Sequence, residues 1–240
     1  MAVAVPIEIA LASLDTDAVL NKAEQRQAQQ FHKSADRARY RAAHGLKRLL
    51  LGAAVNIAPP NLSFAQAPGG KPYLEPEHPG HLDFNLSHGG DWVAVGLSWS
   101  GKIGVDVEAH HPDDFWQKIA SAIISPGESV DRGFLRAWTA KEAALKAHGN
   151  GLATAANHVA IEAGAAERFS AELPSGQGTF SGIWQRLDAR HMLAVATNGT
   201  MPQITVCRNA DSLRKVFSRL GQVALMGACR KYFAGGHSCG

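Results

Sequence analysis

The stretch Ile103-Gly-Val-Asp-Val-Glu108 leaves the chain few ways to fold around it. Alternate residues of a strand face opposite sides, so Ile103, Val105 and Val107 form an apolar face and Asp106 and Glu108 an acidic one. Two carboxylates so spaced stand about 7 Å apart and repel unless a cation lies between them. The stretch Trp138-Thr-Ala-Lys-Glu-Ala-Ala-Leu-Lys146 has helical spacing, which predicts Trp138, Lys141, Glu142, Leu145 and Lys146 on one side. If that helix packs over the strand, Glu142 completes a three-oxygen site. Oxygen donors without thiolate suit Mg²⁺, which often bridges substrate phosphates, and the lysines beside Glu142 would meet those phosphates. Each element has a commoner reading by itself. An Asp-x-Glu strand end is usually a solvated edge, and a Lys-Glu-x-x-x-Lys helix is usually a surface ion-pair ladder. Spacing alone leaves both readings open.

Composition narrows the class. The 240 residues can bury one large core or two of about 100–120 residues each. Hydrophobic and charged shares of 45% and 19% exclude a disordered chain. No apolar run approaches the ~20 residues a membrane span needs, and Met1–Ala10 reads as a first strand rather than a signal peptide. Cys207, Cys229 and Cys239 lack metal or redox spacing and fit a reducing cytoplasm. The net charge of +3 comes without a zinc-finger, RNA-binding or helix-turn-helix signature, so nucleic acid is not expected. It fits an enzyme with anionic partners.

Taken in order, Ser13 to about Phe31 predicts a polar helix and Ser34 to about Val55 a second. The second has a leucine stripe (Leu46, Leu49, Leu50) and a basic one (Arg37, Arg41, His44, Arg48). Residues 57–81 carry six prolines, Pro76 and Pro79 among them, and read as a loop-rich connection holding Lys71. His81–Ser87 alternates, with Leu82, Phe84 and Leu86 on one face, turns at Gly89-Gly90 and returns as Trp92–Leu97 in an antiparallel hairpin. The adjacent Ser87 and His88 are no nucleophile pair, since neighbours on a strand point to opposite faces. A helix is expected near Pro112–Ile124. Ser125-Pro-Gly-Glu128 then caps the next, which ends at Gly149-Asn-Gly151. Short strands follow near 156–161, 168–173, 179–187 and 191–196. Beyond Asp211, Leu213, Val216, Phe217, Leu220, Val223 and Ala224 predict an amphipathic helix packed on the body, and Gly235–Gly240 a disordered end.

Four segments stand in a telling order: Gly70-Lys-Pro-Tyr-Leu74, Phe84-Asn-Leu-Ser-His88, Ile103-Gly-Val-Asp-Val-Glu108, and Phe134 through Trp138–Lys146 with Gly149 and Gly151-Leu152. Together they resemble the 4′-phosphopantetheinyl transferase family, in its larger, pseudo-duplicated, surfactin-synthetase-activating type. The likeness runs from about Arg26 to about Leu152, more weakly to about Thr197. It implies an α+β fold of two similar halves related by a pseudo-twofold axis, each a small antiparallel sheet packed with helices. The halves would be 1–100 and 101–205, the second carrying the Mg²⁺ site, with 206–240 as a C-terminal tail. The implied activity is that of a holo-[acyl-carrier-protein] synthase, moving the phosphopantetheine arm of coenzyme A to a serine of an apo carrier protein of fatty-acid, polyketide or nonribosomal-peptide synthesis. Asp106, Glu108 and Glu142 would hold Mg²⁺, with Mn²⁺ as substitute. Glu142, Lys146 and Asp106 would be catalytic. Arg39, Lys71, Ser87, His88, Lys141, Lys146 and Arg26 would bind coenzyme A. A cytoplasmic monomer is expected. The alternative is a Mg²⁺-dependent phosphohydrolase of a coenzyme A-like pyrophosphate, with water as nucleophile.

Overall fold

The computed structural model of the chain describes residues 1–75, 81–125, 128, 133–149, 154–221 and 232–233. Strand β1 (Ala2–Pro6) stops where Pro6, lacking an N–H, opens helix α1 (Ile7–Ser13). The strand expected to reach Ala10 is therefore shorter. The polar helix expected over Ser13–Phe31 is split into α2 (Thr16–Val19) and α3 (Lys22–Gln29). Asp15 and Asn21 side chains accept the N–H groups of Ala18 and Glu24, so each starts a helix of its own. Helix α4 (Ser34–Val55) has the expected bounds and ends at Asn56, in the left-handed conformation.

The loop-rich connection holds a small hairpin, β2 (Phe64–Gln66) with β3 (Pro72–Leu74); Pro76 and Pro79 lie outside the described residues. Strands β4 (Asp83–Gly89) and β5 (Trp92–Ser98) form the expected antiparallel hairpin through Gly90-Asp91. Then come β6 (Ile103–Ala109), α5 (Asp113–Ile123) and α6 (Phe134–His148), which Gly149 closes in the left-handed conformation. Of the expected cap before α6, Ser125 and Glu128 are described; Gly151-Leu152 are not. Strands β7 (Ala160–Ala163), β8 (Arg168–Leu173), β9 (Gly178–Arg186), β10 (His191–Thr197) and β11 (Ile204–Val206) precede helix α7 (Ala210–Gly221).

The fold is α+β. Among the described residues the strands form two main sheets, in the orders β11-β1-β5-β4 and β6-β10-β9-β8-β7. Pairing is antiparallel except between β1 and β11. The three-residue strand β11 was not legible in the sequence; it returns the chain to the first sheet. There Leu213, Val216 and Phe217 of α7 join Leu46, Leu49 and Leu50 of α4 in one core. The amphipathic helix thus packs on the body as expected; Val223, Ala224 and Gly235–Gly240 lie outside the described residues. A further core, with Ala2, Ala4 and Trp92 on one side and Val105, Val107 and Leu193 on the other, joins the sheets.

Helix α6 lies unusually close on β6. A Cβ on Gly104 would stand 2.0 Å from the Ala143 carbonyl oxygen and 2.4 Å from the Ala147 nitrogen. The facing positions Ala140, Ala143, Ala144 and Ala147 are fully buried. Only glycine against alanine lets helix and strand backbones meet this closely. That approach brings the acidic face of β6 under α6.

Candidate active site

Asp106 is 2% exposed, with Oδ1 accepting from Lys146 Nζ at 2.5 Å and from the Ser87 hydroxyl at 3.3 Å. Its other oxygen, Oδ2, is buried without a hydrogen-bond partner among the described residues. One strand step along, Glu108 Oε1 accepts from the Trp138 indole N–H at 3.1 Å. Helix α6 advances about 12 Å from Trp138 to Lys146 while β6 advances about 7 Å from Asp106 to Glu108, so the two side chains reach in from opposite ends. Glu142, half-buried, stands midway between them along the helix.

The three carboxylates feel one another. Burial first, then the Asp106 charge, raises Glu108 from 4.5 to about 7, with Glu142 adding to the effect. Burial and Asp106 likewise raise Glu142, and burial raises Asp106 against the pull of Lys146. Burial opposes the charge on Lys146, but Asp106, Glu142 and Glu108 outweigh it and raise its pKa, so it remains an ammonium. Among the described residues no three acidic, histidine or cysteine side chains are gathered tightly enough to hold a metal ion. The carboxylates are neighbours, not a closed cage. Their chemistry still fits a hard divalent cation: the donors are all oxygens, they repel one another, and one buried oxygen lacks a partner among the described residues.

A basic rim faces this acidic floor. His88 is exposed at the end of β4. Burial of its ring, then the charges of Arg39, Lys146 and His44, lower its pKa. Arg39 is partly exposed on α4 and pairs with Asp36 at 2.8 Å. Arg26 is exposed on the last turn of α3 and is not among the charges acting on His88.

Three expected coenzyme A contacts have internal partners in this structure. Lys141 is fully buried, its Nζ donating to Ile123 O at 2.7 Å, Ser125 Oγ at 3.1 Å and Glu128 Oε2 at 2.5 Å. Adjacent helical residues point about 100° apart, so Lys141 turns inward while Glu142 faces the strand. Lys71 spends its three donors on Asp83 Oδ2, Ile103 O and Ala147 O, at 2.6, 3.0 and 3.2 Å. It pins the C-terminal end of α6 instead of meeting solvent. The Ser87 hydroxyl is likewise committed: it donates to Asp106 and accepts from the Val107 N–H at 3.2 Å and from Lys146 at 3.3 Å.

Sequence reasoning missed two groups. Asp83 and Asn85 share the polar face of β4 with Ser87, and their oxygens take the N–H groups of Ile103 and Val105 at 2.6 and 3.0 Å. Their signal was the polar alternation opposite Leu82, Phe84 and Leu86. Glu24 accepts from His44 Nδ1 at 3.0 Å, Lys47 Nζ at 3.1 Å and Arg48 Nε, locking α3 to α4 beneath the basic rim. Nothing in spacing revealed it, because the partners lie 20 to 24 residues away.

Two family models divide the chain between them. That of the 4′-phosphopantetheinyl transferase N-terminal region matches residues 12–99, and that of the 4′-phosphopantetheinyl transferase superfamily matches residues 102–196. The chain belongs to the 4′-phosphopantetheinyl transferase superfamily. The second model contains every carboxylate of the site, and the first the basic rim. Among curated relatives, the 4′-phosphopantetheinyl transferase AcpT of Salmonella typhi is 38% identical over 112 residues, 42% of this chain and 56% of that one. AcpT of Escherichia coli K12 is 41% identical over 90 residues, 33% and 45% of the two chains. The 4′-phosphopantetheinyl transferase HetI of Nostoc is 31% identical over 150 residues, 58% and 63%. The chain thus spans about half to three-fifths of the length of these relatives. No helix of the described residues is long and apolar enough to cross a membrane.

Proposed function

We propose that the protein transfers the phosphopantetheine arm of coenzyme A to a serine of an apo carrier protein. The observation that carries this reading is the pairing, in one superfamily member, of an acidic floor (Asp106, Glu108, Glu142) with a cationic wall (Lys146, His88, Arg39). Such a site can take a pyrophosphate. In the reaction a bond forms between the carrier serine Oγ and the β-phosphorus. The bridging P–O bond breaks, and its electron pair leaves with adenosine 3′,5′-bisphosphate.

Asp106, Glu108 and Glu142 would hold Mg²⁺, or Mn²⁺ in its place, which when bound supplies charge neutralisation on the pyrophosphate. The chain's own groups do the rest. Lys146, kept charged by its acidic neighbours, holds phosphate oxygens as the leaving charge develops. Glu142, raised above an ordinary carboxylate, takes the serine proton directly or through a water. His88 and Arg39 hold the outer phosphates. The nucleophile belongs to the carrier, so the protein needs no reactive serine or cysteine. Halves 1–100 and 101–205 of one chain supply the cleft, in keeping with a monomer, and cytoplasmic location is part of the same proposal. The hydrolase alternative gains no support from relatives named as transferases.

The test is the intact mass of purified apo-carrier domains, from fatty-acid, polyketide and peptide systems, after incubation with the protein, coenzyme A and Mg²⁺. Gain of one phosphopantetheine, abolished by EDTA, is expected. A folded protein that modifies none of them, yet cleaves coenzyme A, would return the hydrolase reading.

A further inference from the structure

Among the described strands β6 is the edge of its sheet, and the three N–H groups it turns away from β10 meet side chains. Ile103 N–H donates to Asp83 Oδ2, Val105 N–H to Asn85 Oδ1 and Val107 N–H to Ser87 Oγ, at 2.6, 3.0 and 3.2 Å, each pair 20 residues apart. The arms that carry these oxygens shorten toward the carboxylates. Asp83 and Asn85 reach through two side-chain carbons and Ser87 through one. Gly89, next in the alternation, has none, and a Cβ there would stand 2.1 Å from the Val107 carbonyl oxygen. The two sheet edges are therefore spaced by longer struts at the Ile103 end and touch backbone to backbone at the Val107 end. Direct strand pairing would hold them about 4.8 Å apart throughout.

We propose that Asp83, Asn85 and Ser87 are positioning residues, a graded set of struts that fixes the angle between the two halves of the site. Resting on the transferase reading above, the inference gives these residues a task distinct from holding the halves together. The Gly89 contact sets where His88, the next residue back, stands along the strand that carries Asp106 and Glu108. The struts behind it stop that strand from swinging toward or away from the basic rim. Asn85, 7% exposed and bonded to a buried N–H, is the central strut. Geometry at a phosphoryl-transfer site must hold to a fraction of an ångström, so a strut one atom short is costly.

Asn85→Ser keeps the oxygen on a shorter arm, Asn85→Ala removes it, and Gly89→Ala pushes the touching end apart. Coenzyme A binding by calorimetry, kcat and KM for carrier modification, and amide exchange at Val105 and Val195 would be measured on each folded variant. Both Asn85 variants are expected to weaken coenzyme A binding and to lower kcat by about tenfold each, with Gly89→Ala at least as impaired. Val105 exchange should quicken in Asn85→Ala while Val195, inside the sheet, stays protected. A merely cohesive role would lower the melting temperature and leave coenzyme A affinity and KM unchanged in the folded protein, which would overturn the proposal. If Asn85→Ala does not fold, Asn85→Ser and Gly89→Ala decide by the same criteria. If the wild-type protein itself binds no coenzyme A, the transferase reading falls and this proposal with it; if it binds and transfers while the variants do so equally well, only the struts fall.

Discussion

Lys146 Nζ stands 2.5 Å from Asp106 Oδ1, while Asp106 Oδ2, on the same buried carboxylate, has no hydrogen-bond partner among the described residues. Asp106→Asn keeps the shape and removes the charge. It should cut carrier modification at least about a hundredfold, in line with losing one electrostatic group of a transfer site. The melting temperature should change little, because Lys146 is partly exposed and can turn to water. Full activity in Asp106→Asn would show that the carboxylate is not part of the machinery.

Lys141 supplies a contrast one residue from Glu142. Lys141→Met strands Glu128 without its ammonium partner in a buried setting, and should cost about 3 kcal/mol of stability. Affinity of the folded variant for coenzyme A should match the wild type. Chemical denaturation and calorimetry read the two effects separately; a selective loss of coenzyme A binding would restore Lys141 to the site.

Glu24 gives the pH dependence. Burial works to raise its pKa, but the His44 hydrogen bond and the Lys47 and Arg48 charges win and lower it from 4.5 to about 2. A depressed carboxylate stabilises the fold fully above its unfolded value and loses that contribution as pH falls through its folded value. Stability should therefore decline from pH 4.5 toward pH 2, and Glu24→Gln should be less stable near neutrality and flatter across that window. Urea midpoints at a series of pH values would show it, and parallel curves for the two proteins would refute it.

Phe217 tests the return of the chain to the first half. It is 5% exposed in the core shared by α4 and α7. Phe217→Ala should cost about 3–4 kcal/mol. The carrier-modifying activity per folded molecule should stay as it was, since α7 contributes none of the proposed site groups. A change in kcat without a change in stability would contradict the packing role.

Much of the fold was legible because strong local patterns agree with the tertiary structure. The 22-residue helix α4, the β4–β5 hairpin and the acidic face of β6 each follow from periodicity and turn chemistry within one stretch. Where Asp15 and Asn21 broke a polar run, local capping beat average helical propensity. The internal partners of Lys71, Lys141 and Ser87 were hidden for another reason. A lysine or hydroxyl looks the same in sequence whether it faces a ligand or a carbonyl of a distant element, and each found internal acceptors or donors far along the chain.

By itself, the sequence determined that Asp106 and Glu108 share a strand face and that Glu142 and Lys146 share a helix face. Those are consequences of backbone periodicity, which acts between near neighbours. Tertiary structure alone decided that this helix lies close on Gly104, that the N–H edge of β6 is met by side chains from β4, and that β11 and α7 belong with the first sheet. These depend on which surfaces bury each other best, a property of the whole chain that no single stretch contains.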